Sequence, residues 1–355
     1  MHADQRPLGS EAASLERKVA FLRTPTSYPF PVRDILCRET HMSFVFLVAD
    51  KAFKLKKPVW FPYLDFSTLA RRETACRAEL VLNRRLAPDV YLKVVALTRC
   101  SKGLAIGGPG EIIDWLIVMR RLDENETLEH AILTQKLTTR SLDHLMATLS
   151  AFYRRARAIF VSPDRHISNW HLSLVLNRRV LFDPDLGLPA GLVRHIDREQ
   201  RHFLAGRAGL IAERVRSRHI VDGHGDLRPE HVWLTDPIRI IDRLEFNPGF
   251  RAVDPLDELA FLSVECERLG SVWAGQYFGR RAIQAFGDGV SEELFIFYRC
   301  YRATLRARLA IAHMLEPNPR TPEKWPQQAR AYLQLGGEDA CRLQRITWNR
   351  KSPSD

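Results

Sequence analysis

Between Glu39 and about residue 121, apolar positions come in short runs separated by turns; beyond that point they recur every three or four residues over longer stretches. The first pattern predicts strands. Phe44-Val45-Phe46-Leu47-Val48, the turn Ala49-Asp50-Lys51 and Ala52-Phe53-Lys54-Leu55-Lys56 predict a hairpin. In its second strand Lys54 and Lys56 share one face, and Phe53 and Leu55 the other. Val90–Leu97 and Ile112–Met119 predict two further strands, with Gly103 to Gly110 a flexible loop between them. One helix interrupts this region. Ser67 to Leu86 lacks Gly and Pro, offers Ser67 as N-cap, and spaces Leu69, Cys76, Leu80 and Leu86 for an amphipathic face; Pro88 stops it.

The second pattern predicts helices. Ser141 to Phe160 carries Leu142, Leu145, Leu149, Phe152 and Ala156 on one stripe. Residues 161–190, with His166, Trp170 and His171, read as irregular, and Val193 to Arg218 as a helix pair. Glu292 to Leu315 is a strong helix with Leu294, Tyr298, Tyr301, Leu305 and Leu309 buried. Its second stripe, Arg299, Arg302 and Arg306, is expected to be solvated, with a cleft-lining role as the other reading. A Pro-rich segment from Glu316 to Pro326 leads to a last helix, Gln327–Gln344. Residues 1–38 form a polar leader with a short helix near 13–23 and a Pro-rich turn at Pro25 to Pro31.

Composition narrows the class. With 355 residues, 45% hydrophobic and 27% charged, the chain is that of an ordinary globular protein. Its longest wholly apolar run, Phe44 to Ala49, is too short to cross a membrane, so no membrane partner is expected. The polar start carries no apolar central region of a secretory signal. Six scattered cysteines without a CxxC read as reduced thiols of a cytoplasmic protein. The net charge of +11 and pI of about 9.6 raise nucleic acid as a partner. No compact Lys/Arg run, RNP-type aromatic motif or finger spacing supports it, and a basic enzyme handling polyanionic nucleotides explains the charge as well.

The most informative stretch, Ile220 to Asn247, reads IVDGHGDLRPEHVWLTDPIRIIDRLEFN. Its two short apolar runs each carry an acid: Asp226 follows the first and Asp242 lies in the second. One carboxylate that handles a substrate proton, with another that holds a metal, is what phosphoryl transfer needs, because its transition state asks for positioning and charge neutralisation. Neither G-x-G-x-x-G nor G-x-x-x-x-G-K-[ST] occurs, which excludes a Gly-loop protein kinase and a P-loop enzyme.

HGDLRPEHV followed by IIDRLEFN resembles the catalytic segment of the aminoglycoside phosphotransferase and choline-kinase-like families, relatives of the protein kinases, and is most similar to a bacterial aminoglycoside-phosphotransferase-like branch. The resemblance implies an α+β, bilobal protein-kinase-like fold. A small lobe of antiparallel sheet plus helix would span residues 39–121, and a larger, mainly helical lobe 122–350, with its catalytic loop at 222–247. It implies ATP and Mg²⁺, an acceptor hydroxyl on a small molecule, Asp226 as catalytic base and Asp242 as metal ligand. His224 and Gly225 would shape the loop, Arg228 would reach the transferred phosphoryl group, and Glu245 would support the metal or meet an arginine. Lys54 would hold the α/β-phosphates and pair with Glu79, with Lys56 and Glu73 as alternates. Ser43, closing the loop Glu39-Thr40-His41-Met42-Ser43, would help cap a phosphate, and Met119 would precede a hinge that meets adenine. Asp254 and Glu258 would brace the catalytic loop. One departure stands out: the family expects Asn where this chain has His231. Imidazole suits Mn²⁺ or Zn²⁺ better than Mg²⁺, which leaves a working one-metal site, a Mn²⁺-tolerant site, or a nucleotide binder that has lost catalysis.

Overall fold

The computed structural model describes residues 9–287, 292–316, 319 and 321–351; the first eight residues of the leader and part of the Pro-rich segment 316–326 lie outside that range. The chain forms two compact units. One comprises the chain up to Thr127 together with Trp233–Phe250, the other Leu128–Val232 together with the chain from Arg251 onward.

The first unit opens with α1 (Gly9–Leu22), β1 (Ile35–Glu39), β2 (Ser43–Val48) and β3 (Lys51–Lys56), then the small hairpin β4 (Trp60–Phe61) and β5 (Leu64–Asp65). Next come α2 (Leu69–Asn83), β6 (Tyr91–Cys100), β7 (Gly103–Ile106) and β8 (Glu111–Arg120). Six strands form one sheet in the order β1-β2-β3-β8-β6-β7, every neighbour antiparallel. The sheet begins at Ile35, ahead of residue 39. The two-residue period sorts its side chains. Phe44, Phe46, Phe53, Leu55, Leu116 and Val118 pack with Leu22 of α1 and Tyr28. Ala52, Tyr91, Ile117 and Met119 pack with Cys76 of α2. On β3, therefore, Phe53 and Leu55 lie on the α1 side, and Lys54 and Lys56 on the α2 side. Asp114 of β8 ties both helices to the sheet, taking Lys18 Nζ of α1 at 2.7 Å and Arg72 Nε of α2 at 2.9 Å, all buried.

Two expectations here are corrected. The cap of α2 is Thr68, whose hydroxyl accepts from the Arg71 N–H, while the Ser67 hydroxyl is turned to Asp65. The expected flexible loop at Gly103 to Gly110 holds β7, paired with β6; Gly103 at φ +112° closes the turn between them, a conformation open to glycine.

The second unit follows with α3 (Leu128–Leu133), α4 (Thr139–Arg155), α5 (Pro163–Leu181), α6 (Ala190–Arg216) and β9 (Val221–Asp222). Within β10 (Val232–Trp233) the chain passes from the second unit to the first, and β11 (Arg239–Ile240) follows in the segment that belongs to the first unit. After α7 (Pro248–Arg251) come β12 (Ala252–Val253), α8 (Pro255–Arg268), α9 (Val272–Phe286), α10 (Glu292–Ala312) and α11 (Lys324–Lys351). The core is aromatic at its centre: Trp170 of α5 lies 4.5 Å from the Tyr301 ring of α10, and Phe203 of α6 stacks on Phe297 at 4.2 Å.

Here the sequence expectations fare less well. Residues 161–190, expected to be irregular, contain α5, opened by the Ser162 hydroxyl as cap and Pro163 in the first turn. The helix expected over Ser141 to Phe160 is α4, which stops at Arg155 and leaves Phe160 80% exposed. The pair expected over Val193 to Arg218 is the single helix α6. On α10 the basic stripe is not a solvated face: Arg299 is paired with Glu267 and Asp339, Arg302 with Asp257, and Arg306 with Glu265. Leu309, expected inside, is 45% exposed. Among the described residues no helix is long and apolar enough to cross a membrane, and all six cysteines are free thiols.

Candidate functional site

In the first unit, the α2 face of β3 presents two ammonium groups to one carboxylate. Glu79, buried in the middle of α2, takes Lys54 Nζ on Oε1 at 2.8 Å and Lys56 Nζ on Oε2 at 2.6 Å. Each lysine has a second acid: Lys54 reaches Asp242 Oδ1 at 2.8 Å, and Lys56 reaches Glu245 Oε1 at 2.5 Å. The result is a chain of alternating charge, Asp242–Lys54–Glu79–Lys56–Glu245. Burial pushes the Glu79 carboxyl up, but the two lysines outweigh it and leave it below its ordinary value. Glu245 goes the other way, raised by burial and by the nearby Glu79 charge despite Lys56. Asp242 is the solvent-facing member, its side chain 44% exposed, against 1% for Glu79 and 8% for Glu245.

The segment that carries Asp242 is held by its backbone. Asp242 has φ +62°, a left-handed conformation that costs a non-glycine residue energy and persists where surroundings enforce it. Its N–H donates to the Tyr91 hydroxyl at 3.2 Å. The next residue, Arg243, donates its N–H to Asn83 Oδ1 at 2.8 Å and accepts from Asn83 Nδ2 at 3.3 Å. Asn83 lies one helical turn after Glu79, so α2 fixes both the lysine partner and the Asp242 backbone.

In the second unit, β9 delivers the chain into a sharp turn with Gly225 at φ +92°. Glu258 of α8 accepts the backbone N–H groups of His224, at 2.8 Å, and of Gly225, and also the Tyr153 hydroxyl at 2.7 Å. A side chain at Gly223 would meet Val253 Cγ2 at 2.4 Å and Glu258 Oε2 at 2.8 Å, so the approach requires glycine. Asp226, at the turn's end, accepts from Arg228 Nε at 3.0 Å. The same guanidinium donates to Glu230 at 2.5 Å and to His231 Nε2 at 3.1 Å. Since arginine can only donate, Nε2 is the acceptor and Nδ1–H donates to the Asp226 carbonyl, 2.9 Å away. Burial raises the Asp226 carboxyl, but the guanidinium charges, Arg228 above all and Arg306 after it, hold it below the ordinary carboxylate range. It is an ionised, half-buried carboxylate collared by cations.

The fold aligns over 94% of this chain with solved small-molecule kinases. A choline kinase from Cryptosporidium parvum, 10% identical, is covered over 97% of its length at a TM-score of 0.55. A choline/ethanolamine kinase family protein from Mesorhizobium loti, 16% identical, is covered over 99% at 0.51. The fold is protein-kinase-like. No protein-family model matches the chain. Uncharacterised proteins of Mycobacterium tuberculosis and Mycobacterium bovis are 33% identical over 298 residues, 81% of this chain; the chain spans only 58% of their length.

On this kinase-like fold the residues singled out in the sequence fall into two groups. Lys54, Lys56, Glu79, Asp242 and Glu245 form one cluster, and His224, Asp226, Arg228 and His231 another. Glu73, the alternate to Glu79, points away and pairs with Arg77 on α2's exposed face. Ser43 opens β2, opposite Lys56, and its N–H donates to the Thr40 hydroxyl within the turn. Met119 is buried beside Ala52 and Tyr91. Asp254, expected to brace the catalytic loop with Glu258, caps α8 and holds Arg214 of α6 at 2.7 Å. Sequence reasoning missed Asn83 and Tyr91. Asn83 sits in the ELVLNRR context that singled out Glu79, four residues on, and that i,i+4 spacing was its available signal. Among the described residues no group of three or more His, Cys, Asp or Glu could hold a metal by itself.

Proposed function

We propose that the chain transfers the γ-phosphoryl group of ATP to a hydroxyl of a small molecule in the cytoplasm, with Mg²⁺ as the cation. The observation that carries this reading is Lys54, bridging Glu79 and Asp242 at 2.8 Å each. A strand lysine steered by a helix carboxylate is how kinases aim an ammonium at the α/β-phosphates. Asp242 is exposed and offers hard oxygen donors, which fits Mg²⁺ held jointly by one carboxylate and the nucleotide's phosphates. When bound, that cation would neutralise charge developing on the transferred group.

The protein's own residues supply the rest. Asp226, kept ionised by its cationic collar, accepts the acceptor hydroxyl's hydrogen bond and orients it; early deprotonation is unnecessary in a loose transition state. Arg228, whose guanidinium donates to Asp226, Glu230 and His231, would turn from one of them to meet the transferred phosphoryl group. His224 and Glu258 hold the turn. Ser43 would add a donor for a phosphate, and Met119 would lead into the segment that meets adenine. Of the other residues expected at the metal, Glu245 is committed to Lys56, and His231 to Arg228 and the loop backbone.

Mg²⁺·ATP is expected to raise the melting temperature of the chain, and Lys54→Met to abolish that rise while Glu73→Gln preserves it. Equal stabilisation of all three would overturn the reading. A second reading, a nucleotide-binding regulator without turnover, is favoured by the Arg228–Asp226 ion pair and by His231 in place of Asn; it predicts the same stabilisation with no ADP release under Mg²⁺ or Mn²⁺.

A further inference from the structure

The two lysines of β3 look equivalent in sequence, and they are not equivalent in their surroundings. Lys54 pairs with the exposed Asp242, and its own side chain is 13% exposed. Lys56 is 2% exposed and paired with Glu245, itself 8% exposed. Its ammonium also lies over the Phe66 ring, 4.8 Å from the centroid. An ammonium has three N–H donors. Those of Lys56 face the Glu79 carboxylate, the Glu245 carboxylate and an aromatic face, so no direction is left for a phosphate. Lys54, by contrast, can give up Asp242 to a triphosphate while Glu79 keeps hold of it.

We infer that Lys56 and Glu245 are positioning residues, a permanent strut between β3 and the Asp242 segment that holds Asp242 ready for its cation while Lys54 alone exchanges onto the nucleotide. This rests on the nucleotide reading above and adds to it a division of labour between neighbouring lysines. The geometry explains why a strut is needed. Asp242 sits in a left-handed conformation, and on nucleotide binding it would lose the Lys54 contact that ties its side chain to β3. Three residues further on, Glu245 remains tied to the same strand, and Asn83 grips the Arg243 backbone between them.

Losing Lys56 alone would strand a buried carboxylate, so the test removes both charges, in Lys56→Met/Glu245→Leu, since replacing a whole buried ion pair by apolar residues is commonly neutral for folding. The readouts are Mn²⁺ affinity in the presence of AMP-PNP and AMP-PNP affinity without metal, with far-UV circular dichroism to confirm the fold. The expected result is metal affinity lower by about 10-fold or more, the usual scale for a group supporting a metal ligand, with metal-free AMP-PNP binding unchanged. Unchanged metal affinity overturns the strut. Equal loss of both affinities overturns it too, by making Lys56 a nucleotide contact. Should the double variant fail to fold, Glu245→Gln decides: it keeps an acceptor for Lys56, and a loss confined to metal binding is expected, with no loss, or an equal loss of both, contradicting the inference. A parent chain that binds neither Mn²⁺ nor AMP-PNP overturns the nucleotide reading and this inference with it.

Discussion

Asn83 clasps the backbone of Arg243 from across 160 residues of sequence, accepting its N–H at 2.8 Å and donating to its carbonyl at 3.3 Å. One side chain thereby fixes the residue next to Asp242 from the helix that also carries Glu79. Asn83→Ala removes both bonds inside a buried setting and is expected to cost about 1–3 kcal/mol of stability, read by urea unfolding. Calorimetry should show weaker Mg²⁺·AMP-PNP binding as well. An unfolding midpoint equal to the parent's would show that the clasp does not hold the segment.

The same unit depends on Asp114 as the shared partner of Lys18 and Arg72. Asp114→Ala leaves two buried cations without their carboxylate and is expected to destabilise the chain by about 3–5 kcal/mol. Thermal unfolding checks this. A small change would mean that α1 is dispensable to the sheet.

Arg228 is the largest of the charges that bring Asp226 down against its burial. A base must be ionised to accept a proton, so activity is lost as pH falls through its pKa. Arg228→Ala is therefore expected to move the acid limb of the pH–rate profile to higher pH. An acid limb that stays in place would separate Arg228 from the titration of Asp226.

These sites show what the sequence could and could not reveal. The β3 alternation put Lys54 and Lys56 on one face because strand periodicity is local. Glu79 could be chosen over Glu73 through its resemblance context. The acids at 226 and 242 were legible for the same reason, as short contiguous motifs. The basic stripe of α10 was misread because its partners Asp257, Glu265, Glu267 and Asp339 lie on α8 and α11, about thirty to forty-five residues away. Periodicity reports that a face is charged and says nothing of what packs upon it. The helix at 163–181 was missed although Ser162 and Pro163 announce its start, because its charged and apolar residues mask the stripe. Tyr91 acts through the backbone of a distant segment, which no local pattern encodes, and the i,i+4 spacing of Asn83 from Glu79 marks a shared helix face without naming the segment it grips.

Asp339 gives a prediction for stability against pH. Burial pushes its carboxyl up to about 6, with Arg299 and Arg342 restraining the rise. The unfolded value is about 3.9. Between these values the folded chain holds a proton that the unfolded chain has released. This contribution is present below pH 4 and is lost as pH rises through 6, about 3 kcal/mol in all. Asp339→Asn is expected to flatten that decline relative to the parent in urea unfolding followed from pH 4 to 6.5. An identical slope in parent and variant would contradict it.

The proposed phosphoryl transfer stands or falls with Asp226 as its base. The most direct measurement is ADP release from Mg²⁺·ATP across a panel of hydroxylated metabolites, with the parent and Asp226→Asn side by side. Acceptor-dependent release is expected from the parent, reduced about 10²–10⁴-fold in the variant, the range for losing a general base. Release that does not depend on Asp226, or none from the parent with any acceptor under Mg²⁺ or Mn²⁺, would contradict it.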